Sequence, residues 1–180
     1  MTAAETDLPV SGSVLAARFL EQIDDPRLSA AYRYWDGLRK GRFAPPYAEV
    51  DPVDIPKLLP FLLVTQVEQD GRQRRYRYRL CGGEVEENFG SPMGGRYIDT
   101  MIQGRYLTYI EDLYNRVVDG KKPVYSVSTY QARALQTKRL MLPLSSDGTS
   151  VDVIFSAQVF FRSVGLPQTV IAVQDNFEPR

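Results

Sequence analysis

The chain contains no histidine. That excludes a Ser-His-Asp triad, a Cys-His pair and an HExxH zinc helix. It also excludes haem held by a proximal histidine, and phosphorylation on histidine. A single cysteine, Cys81, rules out an intramolecular disulfide and any CxxC metal knuckle. Neither sign of charge is in excess: 22 Lys+Arg stand against 22 Asp+Glu, so the chain is a poor general counter-ion for nucleic acid or acidic lipid. No stretch approaches the roughly 18 apolar residues of a membrane helix. The opening MTAAETDLPV lacks a basic n-region and an apolar h-region. A cytoplasmic location is the expectation, with no membrane contact.

What the sequence does have is an ordinary globular balance over 180 residues, 43% apolar and 24% charged. Ser11 or Ser13 is suited to cap a short helix carrying Val14, Leu15, Phe19 and Leu20. Asp25-Pro26 then reads as N-cap and first helical residue. The helix after it has an apolar stripe of Leu28, Ala31, Tyr32, Trp35 and Leu38, closed by Gly41. Residues 43–60 hold five prolines and are expected to form an ordered strap with little regular structure.

Strands are expected at 61–68 and 74–81, joined at Asp70-Gly71. In the second, alternation puts Tyr76, Tyr78 and Leu80 on one face and Arg75, Arg77 and Arg79 on the other. Gly82-Gly83 breaks it. Short helices are expected at 83–89 and 97–101. A longer one at 105–119 carries the stripe Tyr106, Tyr109, Ile110, Leu113 and Val117, with Gly120 at C′. Three strands follow at 124–131, 137–144 and 150–161, and 168–173 suits one more. Hairpins joined by a helical crossover imply an antiparallel α+β sheet. The all-apolar phase Val153, Phe155, Ala157, Val159 and Phe161 is expected to face the crossover helices. The other phase still carries Ile154 and Phe160, so it needs cover from the Trp35 helix or from a second subunit.

Four segments in this order resemble a PAS domain, and more narrowly a family of short bacterial proteins built on one divergent PAS-like domain. They are YRYWDGLRKGR (32–42), VDPVDIPKLLPFLLVTQVE (50–68), RRYRYRLCGGEVEENFG (74–90) and RLMLPLSSDG (139–148). The resemblance spans residues 28–161. It implies a five-stranded antiparallel sheet with short helices on one face, preceded by N-terminal helices, and a cavity between sheet and helices. The division expected is 1–42 for the helical extension, 43–165 for the PAS-like domain and 166–180 for a last strand or tail. The function implied is sensing or regulated protein contact, without catalysis. With little chain after Phe161 for an output module, the expected mode of action is binding to a signalling protein. A homodimer through the N-terminal helices and the outer sheet face is also expected.

Chemistry-bearing residues narrow the options further. Flavin photoreceptors of the PAS class carry cysteine in a helical Gly-x-Asn-Cys-Arg-Phe context. Cys81 sits in Arg-Leu-Cys-Gly-Gly on a strand, so no covalent flavin adduct is expected and no cofactor is identified. Arg72, Arg74, Arg75, Arg77 and Arg79 form a ladder, but their tyrosine neighbours alternate away from them, unlike a nucleic-acid platform. Gln66 and Glu68 on the partner strand suit pairing with them instead. Glu84, Glu86, Glu87 and Asn88 lack the spacing of a hard-metal loop, and no metal site is expected.

Eleven tyrosines against eight phenylalanines mean many rings whose hydroxyl needs a partner when buried. Either they line a pocket for a small amphipathic ligand, or they fill a packed core. The pocket candidates are Tyr78, Leu80, Phe89, Tyr97, Met101, Tyr109, Ile110, Leu113, Tyr125, Val127, Leu142 and Phe155. The same element order also fits the cone fold of ketosteroid-isomerase-like enzymes. That alternative needs a desolvated carboxylate near tyrosine donors, and Asp99, Glu111 and Asp112 are its candidates.

Overall fold

The structure, a computed structural model, describes residues 19–130, 135–162 and 176–177. Its first long helix, α1 (Pro26–Arg39), begins where local chemistry places it: the Asp25 carboxylate accepts from the Arg27 amide at 2.9 Å, and Pro26 occupies the first turn. Leu28, Ala31, Tyr32 and Trp35 are its buried stripe. Lys40, left-handed at φ 47°, is the C-cap, one residue before the expected Gly41. Phe19 packs on the Tyr32 ring at 5.4 Å. The helix expected from Ser11 onward lies, but for its last residues, outside the described residues. The proline strap contains three single 3₁₀ turns, Tyr47–Glu49, Pro52–Asp54 and Leu59–Phe61.

Strands β1 (Leu62–Asp70) and β2 (Gln73–Cys81) form a hairpin over Gly71, which has φ +59°. Helices α2 (Gly83–Phe89), α3 (Ile98–Met101) and α4 (Gly104–Gly120) make the crossover. Then come β3 (Val124–Tyr130), β4 (Leu135–Leu144), β5 (Val153–Arg162) and the two-residue β6 (Asn176–Phe177). Every pairing is antiparallel and the order is β2-β1-β5-β4-β3-β6. The five-stranded antiparallel α+β sheet expected from the sequence is present, with β6 appended at its β3 edge. The strand suggested at 168–173 falls outside the described residues. Gly120 is still helical, and Lys121 takes the left-handed C-cap position in its place. Among the described residues no helix is long and apolar enough to cross a membrane.

Both faces of the sheet are covered. On one, α1 and the strap pack against Leu62, Val64, Leu140, Leu142, Leu144, Val153, Phe155, Ala157 and Val159. On the other, α2, α3 and α4 pack against Leu63, Tyr76, Tyr78, Val124, Met141 and Ile154. Residues 153–159 of β5 are accordingly buried without interruption. This inverts the expected phase: Val153, Phe155, Ala157 and Val159 face α1, and the crossover helices face the phase of Ile154 and Phe160. The outer sheet face proposed for a homodimer contact is therefore occupied by the chain's own Trp35 helix, whose indole Nε1 donates to the Pro143 carbonyl at 2.7 Å.

A second correction concerns β2. Its register runs Val64↔Leu80 and then Thr65↔Tyr78, so Arg79 is an extra, bulged residue. Tyr76 and Tyr78 turn toward the crossover helices, whereas Leu80 turns toward α1. The exposed edge of β2 is closed by residues 95–97: the Tyr78 amide donates to the Arg96 carbonyl, and the Gly95 amide to the Tyr78 carbonyl.

Candidate functional site

Between the sheet and α2–α4 lies a cavity of about 470 Å³, within the size range of small-molecule sites. Its floor is Tyr78 from β2, Leu135, Thr137 and Arg139 from β4, and Gln158 and Phe160 from β5. The roof comes from Val85, Asn88 and Phe89 of α2, the loop through Met93, and Met101 to Gln103. Tyr106, Ile110 and Tyr114, four residues apart along α4, supply the third wall. The loop is pinned over the cavity by Glu86, whose Oε1 accepts from the Met93 amide at 2.8 Å.

Two residues make this wall unusual. Arg139, 2% exposed, stands directly across the β4–β5 ladder from buried Gln158. The Arg139 Nη2 donates to the Tyr106 hydroxyl at 3.2 Å, while its Nε and Nη1 are buried without a hydrogen-bond partner among the described residues. Among the described residues, no aspartate or glutamate lines the cavity. A guanidinium stays charged in proteins, so the wall carries one positive charge that no carboxylate among the described residues balances. The neighbouring phenols of Tyr78 and Tyr114 are raised above the ordinary range by burial and remain donors at neutral pH. The Tyr114 hydroxyl also accepts from Thr65 Oγ1 at 3.4 Å.

Of the residues singled out from the sequence, Tyr78, Phe89, Met101 and Ile110 line the cavity. Leu113 is buried in the same cluster without reaching the wall, and Tyr109 lies beside it, its hydroxyl bonded to Ser126. Leu80, Tyr125, Val127, Leu142 and Phe155 belong to the α1 side of the sheet and are removed from the pocket. The Arg79 bulge displaces Leu80. The other four follow from the inverted phase of β3, β4 and β5. Tyr125 donates instead to Asp24 at 2.9 Å. Tyr97 sits outside, donating to Glu68 at 2.8 Å with the Arg75 guanidinium 3.9 Å from its ring centre. The reading of the sequence passed over Arg139, Gln158, Thr137, Tyr106 and Tyr114. The available signal was polar and confined to β5, where Ser156 and Gln158 interrupt one phase of an otherwise apolar strand; in β4 both phases carry polar residues, so Thr137 and Arg139 did not stand out.

Most arginines of the ladder have partners of their own. Arg77 pairs with Glu68 at 2.7 Å and Arg79 with Gln66 at 3.1 Å, as the cross-strand reading expects. Arg75 forks onto Asp99 with two bonds of 2.8 Å, and Arg74 reaches Asn115 and Asp119. Of the three carboxylates named for a cone-fold enzyme, Asp99 is held below its ordinary range chiefly by its bond to Arg75. Asp112 pairs with Arg116 one turn along α4. Glu111 is raised, mainly by burial and further by the charge of Asp99. None of the three lines the cavity. Cys81, half-buried, has its thiol pushed up to about 12 by desolvation.

A family model described as a PAS domain matches residues 23–157, most of the chain and including α1. No curated protein and no solved structure matches.

Proposed function

The chain belongs to the PAS-domain family, and from that premise we propose that it is a sensory or regulatory module that binds a small ligand and signals by contact with another protein. The observation that carries this reading is the cavity between the sheet and α2–α4, sized for a small molecule and mixing apolar walls with a few polar groups. A non-enzymatic role is supported by the chemistry at hand. The chain has no histidine, its one thiol is held protonated by burial, and the candidate carboxylates stand outside the cavity.

Native mass spectrometry of the purified full chain tests the ligand. A retained small molecule is expected, and Met101→Trp, which fills the cavity from its wall, is expected to lose it. Protein that carries no small molecule and takes none up overturns the reading.

The sheet face offered for a homodimer is already covered by α1, so the proposed self-association rests on the segment before it. Removing residues 1–18, which stops short of the buried Phe19, should lower the sedimentation mass. An unchanged mass counts against a dimer formed there.

A further inference from the structure

The unbalanced charge in the cavity wall narrows the ligand. Arg139 has five N–H donors and one partner among the described residues, the Tyr106 hydroxyl. Taking a charge out of water is costly unless an opposite charge and hydrogen bonds replace the lost hydration. Other buried arginines solve this with an aspartate or glutamate, and outer arginines of this chain do so: Arg75 with Asp99, Arg77 with Glu68. Among the described residues, none of this kind lines the cavity.

We infer that the cavity takes a small monocarboxylate with an apolar body, its carboxylate on Arg139 and its body against Phe89, Met101, Ile110 and Phe160. This inference rests on the cavity being a ligand site. The charge count selects a monoanion, because one guanidinium meets one carboxylate and every other wall group among the described residues is neutral. A carboxylate is acceptor-only and matches the planar guanidinium fork. Gln158 across the ladder adds a neutral donor at the same end, where the phenols of Tyr78 and Tyr114 also lie. A phosphate dianion would leave one negative charge buried with nothing to meet it. The apolar side chains around the rest of the wall call for a hydrocarbon or aromatic body rather than a second acid.

The test is calorimetric titration of the full chain at pH 7 with 3-phenylpropionate, its neutral amide 3-phenylpropionamide, and phenyl phosphate. The carboxylate should bind at least about tenfold more tightly than the amide, the difference expected of charge-assisted hydrogen bonds, and more tightly than the phosphate. Arg139→Gln should bring the carboxylate-to-amide ratio close to one, whereas Arg77→Gln, on the outer surface, should leave it unchanged. The wild-type comparison decides by itself if the Arg139 variant does not fold. Equal binding of carboxylate and amide, or tighter binding of the phosphate, overturns the monocarboxylate while the cavity stands as a ligand site. If none of the three binds and native spectra show only the bare chain, the ligand site itself falls.

Discussion

The Trp35 indole and the Pro143 carbonyl, 108 positions apart, are joined by a 2.7 Å hydrogen bond in the buried layer between α1 and β4. It fastens the N-terminal helix to the middle of the sheet. Trp35→Phe removes the donor and leaves a void in the 1%-exposed site. The expected loss is about 2–4 kcal/mol, read as a lower urea midpoint with an unchanged slope.

Gly82 and Gly83 are chemically alike and placed unlike. A Cβ on Gly82 would lie 2.3 Å from the carbonyl oxygens of Leu59 and Pro60, while one on Gly83 meets nothing within 4 Å. Because backbone blocks the first site, Gly82→Ala should cost roughly 3 kcal/mol or more. Gly83→Ala, in the first turn of α2, should be neutral or gain up to about 1 kcal/mol. Parallel thermal melts of the two variants check this, and similar melting temperatures would contradict it.

Asp25 caps α1 and takes two hydrogen bonds from the Arg27 guanidinium. Burial works to raise its pKa, but the bonds from Arg27 win and hold it below the ordinary value of 3.8. A depressed folded pKa contributes stability that is present above the unfolded value and lost as pH falls through the folded one. Asp25→Asn keeps a capping side chain and loses the charge. It should cost about 1 kcal/mol at pH 7, with the difference from wild type shrinking as pH drops below 3.8. A difference that does not change across that range would assign the effect to packing.

Arg139 sets ligand affinity against apoprotein stability. With its charge buried and no acid beside it among the described residues, replacement by an apolar side chain of similar reach should stabilise the ligand-free chain. Arg139→Met is expected to raise unfolding free energy by about 1–4 kcal/mol. Chemical denaturation of ligand-stripped protein measures it, and a clear loss of stability would show that the guanidinium is better compensated than its contacts indicate.

Much of the architecture was legible before any coordinates. The Asp25-Pro26 start of α1, its Trp35 stripe, the Gly71 hairpin and the α4 stripe rest on capping, turn chemistry and period, all of which act within a few residues. Four of the pocket candidates, Tyr78, Phe89, Met101 and Ile110, line the cavity. Local pattern failed at β5, where the all-apolar phase was assigned to the cavity. That phase packs tightly under α1, and the hollow lies over the phase broken by Ser156 and Gln158. It failed again at Leu80, because one extra residue at Arg79 reverses every side chain beyond it.

Sequence alone thus supplied the elements, their order and the chemistry the chain lacks, since helix caps, alternation and missing residue types are properties of short stretches. Which face of the sheet became hollow, and that Arg139 ended in its wall beside Gln158 with no acid near among the described residues, depended on the folded whole. Both outcomes arise from contacts between strands and helices distant in the chain, where a bulge or a second covering layer redirects side chains that local pattern treats as equivalent.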